Sequence, residues 1–195
     1  MYSTRSLVLI CLFFSIAFSA EKTDSLQTEI TAAEKLVDLG RDLFYQSVED
    51  KSKLDSAFAV FEQLKKDFPA YEGRAVTYIG ALTAIRGKHA FWPYSKFRLV
   101  LKGLAIMDEG IQKSPDDIEA LFVYGSTCYF MPFLFARSDE AQTAFKRILK
   151  LLPQKIQNYN PELMNNVIEF LLQNAELSPA EQEILIKMKE KIILR

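Results

Sequence analysis

A block of residues recurs three times along this chain and restricts the folds that the chain can adopt. In each block a small residue is followed four residues later by a bulky one, three residues after that by a small or apolar one, and five residues further by a proline. Steps of four and three place the first three members on one face of an α-helix, and we expect the proline to end that helix. The three blocks are Ala57-Phe61-Leu64-Pro69, Gly103-Met107-Gly110-Pro115 and Ala141-Phe145-Ile148-Pro153.

A glycine precedes each block, at Gly40, Gly80 and Gly125, on a stretch where apolar residues recur at spacings of three and four. A small residue lets two helices approach closely, and the Phe or Met of the following block fills the space beside it. Ser178-Pro179-Ala180-Glu181 predicts a capped start for the final helix. Together these patterns predict an all-α fold of eight helices in four stacked hairpins.

The first twenty residues predict a signal peptide rather than part of the fold. Met1–Arg5 is basic, residues 7–18 carry no charge, and Ala17 and Ser19 are small residues at the spacing that a signal peptidase recognises. We expect cleavage after Ser19, with cleavage after Ala20 second, which gives a signal peptide at 1–19 and a single α-helical domain at 20–195. The uncharged stretch is shorter than the roughly 20 residues that span a bilayer, and an uncleaved anchor is the alternative.

Charge and cysteine content indicate the setting in which the protein works. The formal net charge is -1, and removal of Arg5 with the signal peptide would make it -2, so we expect no nucleic-acid partner. Only Cys128 would remain, so no intramolecular disulfide can form, and the chain has no Asn-x-Ser/Thr glycosylation acceptor. These features predict a periplasmic protein, with secretion as the alternative.

The repeated blocks resemble the tetratricopeptide repeat (TPR). That repeat places a Leu-Gly pair on its first helix, followed by a small residue, an aromatic residue, a second small residue and a proline on its second helix. The residues that carry the resemblance are Leu39-Gly40, Ile79-Gly80 and Tyr124-Gly125 for the first helix, and Ala57-Phe61-Pro69, Ala141-Phe145-Pro153 and, more loosely, Gly103-Met107-Pro115 for the second.

The resemblance covers residues 33–153 and implies a right-handed α-solenoid of about four TPR-like hairpins. TPR proteins commonly bind peptides or partner proteins on their concave face, so the resemblance implies a binding scaffold. The spacing departs from the family, because the blocks recur after 46 and then 38 residues, whereas TPR units recur after about 34. The extra residues fall between the two helices of each hairpin, and we expect the specific function at these lengthened turns.

The longest of these turns holds the densest group of basic and aromatic side chains. It contains the only His and the only Trp of the chain, and Pro93 predicts an ordered excursion between helices from Arg86 to Arg98. Such a group is suited to bind an anionic ligand, a peptide carboxylate or a protein partner. The favoured interpretation of this segment is nevertheless structural, with Phe91 and Trp92 filling the groove between neighbouring hairpins and the basic side chains in solvent. The candidate binding residues are Arg86, Lys88, His89, Trp92, Tyr94, Lys96 and Arg98.

A second apolar cluster spans residues 130–135 at another lengthened turn. Core packing beneath the loop is its expected role, and a patch that faces a partner or a membrane is the alternative. Cys128 lies about one helical turn past Gly125 and is expected to be an inert buried thiol. A single His and a single Cys are too few to build a metal site, so we expect neither a metal nor another cofactor.

The sequence therefore favours an exported, non-catalytic scaffold that binds a protein or peptide partner through its concave helices and the segment at residues 86–98. The first alternative is an envelope-associated structural or transport-accessory subunit, which would dock through the cluster at residues 130–135. The second is an enzyme that uses His89 with a carboxylate in a pocket beside Trp92.

Overall fold

The computed structural model describes the backbone of residues 5–193 and the side chains of residues 27–192. Within the described backbone the protein has eight α-helices and no β-strand, which confirms the predicted all-α class and the number of helices. The predicted signal peptide at 1–19 lies outside the described side chains and stays a prediction. The helices are α1 (Arg5–Glu49), α2 (Leu54–Asp67), α3 (Glu72–Lys88), α4 (Pro93–Lys113), α5 (Ile118–Tyr129), α6 (Ser138–Lys155), α7 (Pro161–Asn174) and α8 (Pro179–Ile193).

Consecutive helices pack in pairs, α1 with α2, α3 with α4, α5 with α6, and α7 with α8. The third helix is the most enclosed, since it also contacts α1, α2 and α5, and every residue from Gly73 to Ala84 is buried. Among residues 27–192, no helix combines the length and the apolar character needed to cross a membrane.

The final helix begins at the predicted cap. Glu181 accepts a hydrogen bond from the backbone N–H of Ser178 at 2.7 Å, and the Ser178 hydroxyl lies 3.4 Å from the backbone nitrogen of Glu181. This reciprocal pair is a capping box, which satisfies two donors that a helix start would otherwise leave free.

One of the three block prolines does not end its helix. Pro69 and Pro115 follow the ends of α2 and α4, as predicted, but α6 continues through Pro153 to Lys155. Near the end of a helix, proline removes one of the last backbone hydrogen bonds and leaves the other turns intact. The prediction for the third block is therefore wrong by half a turn.

The excursion expected between Arg86 and Arg98 is also absent. Helix α3 continues to Lys88 and α4 begins at Pro93, which leaves only a four-residue turn between them. Proline is favoured at the first position of a helix because its missing N–H would have no helical partner there. The extra residues between Gly80 and Gly103 therefore lengthen α3 and α4 and not the turn between them.

The predicted contact between each glycine and the bulky residue of its block is confirmed. A Cβ atom at Gly40 would lie 2.7 Å from the ring of Phe61, and one at Gly125 would lie 2.7 Å from the ring of Phe145. At Gly80 it would lie 2.6 Å from the Met107 side chain. All three distances are shorter than real carbon contacts, so a side chain at any of these positions would force neighbouring atoms to move.

The pair formed by α3 and α4 is closer still, because glycine recurs every seven residues on both helices. Gly73, Gly80 and Gly87 lie on α3, and Gly103 and Gly110 on α4. A Cβ atom at Gly103 would lie 2.6 Å from the carbonyl oxygen of Gly80. The two antiparallel backbones therefore touch without side chains between them.

A buried carboxylate joins α1, α3 and α5. Glu119 is only 1% exposed, and it accepts hydrogen bonds from Tyr78 at 2.7 Å and Arg41 at 2.9 Å and pairs with Arg74 at 3.1 Å. Arg74 also donates to Asp117 at 2.8 Å. Burial alone would lower the pKa of Arg74, but the neighbouring carboxylates raise it above its ordinary value. A buried charge is tolerated only with such partners.

We predict that Gly103→Ala destabilises the protein by about 1–3 kcal/mol, because the added methyl group overpacks the contact between α3 and α4. The loss should appear although alanine is the better helix former by about 1 kcal/mol. Urea unfolding followed by circular dichroism measures it, with Ser56→Ala on the exposed face of α2 as the control. Equal stability of Gly103→Ala and the parent would contradict the close approach.

We further predict that Glu119→Gln lowers the free energy of unfolding by about 3–5 kcal/mol, because two buried guanidinium groups lose their shared carboxylate. The same change at the exposed Glu109, which pairs with Lys113 at 3.5 Å, should cost less than about 1 kcal/mol. Similar losses for the two variants in urea titrations would show that the buried charge network contributes no more to stability than an exposed ion pair does.

Candidate binding groove

An apolar groove of about 700 Å³ lies where three helix ends and one connection meet. Its walls are the last turns of α1 and α3, the first turns of α4, and the segment from the end of α5 to residue 135. This volume is within the range of ligand-binding clefts. The lining residues are Phe44, Tyr45, Val48, Ala84, Ile85, Gly87, Lys88, Pro93, Lys96, Phe97, Val100, Ser126, Thr127, Phe130, Met131, Pro132, Leu134 and Phe135.

Ring contacts hold the wall that follows α5. Phe135 stacks on Phe97 of α4 with ring centroids 5.3 Å apart, and Phe130 meets Phe170 of α7 edge to face at 5.9 Å. The short turn ends at Ala136, whose φ of 50° lies in the left-handed region. That conformation costs an alanine about 1–2 kcal/mol, and the packing of the rings on both sides of the turn offsets this cost.

Two of the predicted binding residues support the opposite wall. Lys88 donates to the carbonyl oxygen of Val48 and to the carboxylate of Glu49, each at 2.8 Å. The Nε2 atom of His89 lies 2.9 Å from the carbonyl oxygen of Ser47, and because a carbonyl only accepts, this nitrogen carries the proton. Both bonds join the end of α3 to the end of α1.

Arg86 makes a similar link to α2. Its guanidinium donates to Asp55 at 2.7 Å and lies 4.3 Å above the ring of Phe58. Since both charged groups are exposed, the ion pair itself contributes little to stability. Arg86 therefore contacts α2, and its side chain does not line the groove.

Lys96 differs from these residues, because it lines the groove and makes no ion pair among the described side chains. Nearby, the Ser126 hydroxyl donates to the Phe122 carbonyl oxygen at 2.7 Å, whereas the Thr127 hydroxyl has no hydrogen bond within the described part of the chain. The groove thus offers the Lys96 amine and the Thr127 hydroxyl to a ligand.

The remaining predicted binding residues, Trp92, Tyr94 and Arg98, lie outside the groove. Trp92 is 68% exposed and Phe91 is 84% exposed, with their rings edge to face at 5.2 Å. The favoured structural interpretation, in which these two rings fill a groove between hairpins, is therefore wrong. Tyr94 is also exposed, and the Arg98 guanidinium lies 5.9 Å from its ring.

The cluster at residues 130–135 is largely exposed, contrary to the expected core packing. Phe133 is 95% exposed, and Phe130 and Leu134 are exposed as well, while Met131 and Phe135 are half-buried. The lengthened turn carries these side chains past the end of α5, beyond the helices that would have covered them. All of them except Phe133 line one edge of the groove.

Sequence reasoning missed the groove wall that α1 supplies. Tyr45 is 51% exposed and lies in the groove with Val48, three residues later. The repeat pattern drew attention to Gly40, which contacts Phe61 of α2. Tyr45 and Val48 form a second apolar stripe on α1, and this stripe is the sequence signal that could have predicted the wall.

Neither Cys128 nor His89 lies in the groove. The Cys128 side chain is 2% exposed, and burial raises the pKa of its thiol to about 12. No carboxylate bonds to the His89 ring among the described residues, and no metal-binding group of His, Cys, Asp and Glu side chains is found in residues 27–192.

The lining side chains limit the chemistry of the groove. They include no His, Cys, Asp or Glu, and their charged groups are the amines of Lys88 and Lys96. Such a lining suits an apolar ligand that carries an anionic or hydrogen-bonding group.

Comparisons with models of protein families, with curated proteins and with solved structures find no match to this chain.

We predict that Cys128 does not react with a disulfide reagent such as DTNB at pH 8 while the protein is folded, because a buried thiol with a raised pKa forms almost no thiolate. A Cys11→Ser background leaves Cys128 as the single thiol. Absorbance should rise only after urea is added. Labelling of the folded protein at the rate of a free cysteine would contradict the burial.

Proposed function

We propose that this protein is an exported, non-catalytic binding module whose apolar groove takes up an apolar segment of a protein partner. The observation that carries the proposal is the groove itself, a cleft of about 700 Å³ with Tyr45, Phe130 and Leu134 exposed at its edges. Water-exposed apolar surface on this scale is unfavourable in an isolated protein and is common at interaction sites.

The arrangement of the helices supports a TPR-like, right-handed solenoid as the scaffold. The first helices of three successive hairpins, α1, α3 and α5, contact one another in order and all contribute to the groove, through Tyr45, Ile85 and Thr127. In stacked repeats, equivalent helices line a common concave surface, and partners bind there.

The groove also favours one chemistry of partner. Several apolar side chains from one segment can enter it, and each large one that is fully buried contributes about 1.5–3 kcal/mol. Lys96 at its edge is suited to a carboxylate, which would pair better with an amine than with the apolar wall. We therefore expect an amphipathic segment with clustered apolar residues and a nearby acidic one.

The proposal predicts that a photoreactive p-benzoylphenylalanine in place of Tyr45 crosslinks a partner of defined mass in the cells that make the protein. The same residue at Ile186, which is about as exposed but lies on α8, should give no such product. Mass spectrometry identifies the crosslinked segment, and a synthetic peptide of that sequence then gives an affinity by calorimetry.

Thr127→Arg tests the groove directly, because a long side chain on its half-buried wall fills the space that a ligand needs. We expect this variant to fold and to weaken peptide binding at least tenfold, while Ile186→Ser binds as the parent does. Unchanged binding by Thr127→Arg, or equal crosslinking from residues 45 and 186, would contradict the proposal.

A further inference from the structure

We propose that a second surface, next to the groove but separate from it, docks the protein on an anionic membrane. It consists of Phe91, Trp92 and Tyr94 at the turn between α3 and α4, together with Phe133 in the connection after α5, and is called the aromatic surface below. None of these four residues lines the groove, so the proposal does not depend on the proposed function.

The aromatic surface projects from the fold at two turns that lie side by side. The stack of Phe97 on Phe135 joins α4 to the connection after α5, so the two turns face the same side of the molecule. Phe133 at 95% exposure and Phe91 at 84% have almost no covering atoms. Projecting rings of this kind bury more of their surface in a lipid bilayer, which deforms around them, than against a rigid surface.

The choice of side chains matches the interface between lipid and water. Trp and Tyr have an apolar body and a polar tip, and they are concentrated at the headgroup level of membranes. Phe and Leu reach further into the acyl boundary. The aromatic surface presents Trp92 and Tyr94 on one turn and Phe133 on the other, a combination that covers both depths.

The charge around the aromatic surface favours anionic lipids. Between Glu72 and Asp108 the chain contains no acidic residue, and residues 120–138 contain none either. Arg98 and Lys102 follow Tyr94 at intervals of four residues, which places all three on one face of α4, and neither cation makes an ion pair within the described residues. A basic residue near an anionic membrane strengthens binding about fivefold, and the effect falls with salt.

A protein partner or a second copy of this chain would fit less well. The most exposed rings lie on two separate projecting turns, whereas the anchors of a protein interface gather in a well-packed centre with a polar rim. A flat anionic surface can receive both turns together with the cations of Arg98 and Lys102. The geometry therefore points to a bilayer.

Trp92 is the only tryptophan of the chain, so its fluorescence reports on the proposed contact alone. The full chain is mixed with vesicles of phosphatidylcholine, with and without about 30% phosphatidylglycerol. We expect a blue shift of the emission and quenching by brominated lipid on the anionic vesicles, both reduced in high salt. Vesicle binding through the N-terminal residues alone would leave Trp92 in water and would give neither signal.

Two variants and one matched control complete the test. Phe133→Ser and Arg98→Glu/Lys102→Glu should each lower partitioning into anionic vesicles about tenfold, and since these side chains are exposed and lie outside the groove, folding should be unaffected. Ile184→Ser removes a similarly sized, exposed apolar side chain from α8 and should partition as the parent does.

Three results would overturn the proposal. The first is an emission that vesicles do not change, and the second is vesicle binding in which aqueous iodide still quenches Trp92 fully. The third is a concentration-dependent dimer in light scattering without lipid that Phe133→Ser abolishes, because a second copy would then cover the aromatic surface.

Discussion

Glycine at the contact between α3 and α4 lets the two backbones touch, and the placement of the other elements depends on that pair. Gly80 opposes Gly103 in the middle of the pair, and a Cβ atom at Gly87 would lie 3.0 Å from the carbonyl oxygen of Lys96 near its end. The distance between the last turn of α3 and the first turn of α4 is therefore set by atoms that have no freedom to adjust. The groove and the aromatic surface both begin at this end.

Close packing fixes how near two helices come, but it leaves open how each helix is rotated about its axis. The buried carboxylate of Glu119 supplies that second restriction. Arg41 on α1 and both Tyr78 and Arg74 on α3 converge on it from different directions. Rotation of α1 or α5 would leave a buried charge without its partners, which is far more costly than shifting apolar side chains past one another. The faces that α1 and α5 present to the groove are set in this way.

Local sequence patterns were sufficient for the number of helices and for the contact of each repeat glycine with the bulky residue of its block. The contact of Gly40 with Phe61 followed from spacing within one hairpin, because small and bulky residues at helical intervals have few other ways to pack. The exposure of Phe133 was not predictable in that way, since an aromatic residue has the same hydropathy whether other helices cover it or not. The partners of Arg86 and His89 lie about 31 and 42 residues away in sequence, so only the tertiary arrangement reveals them.

The bonds from Lys88 and His89 to the end of α1 have a thermodynamic consequence for ligand binding. The last carbonyl groups of a helix have no partner within the helix, and these two side chains cap them from another element. The last turn of α1, which carries Tyr45, is thereby kept from fraying. A partner that entered the groove as proposed would meet a wall that is already ordered, so less conformational entropy would be lost on association and more of the contact energy would appear as affinity.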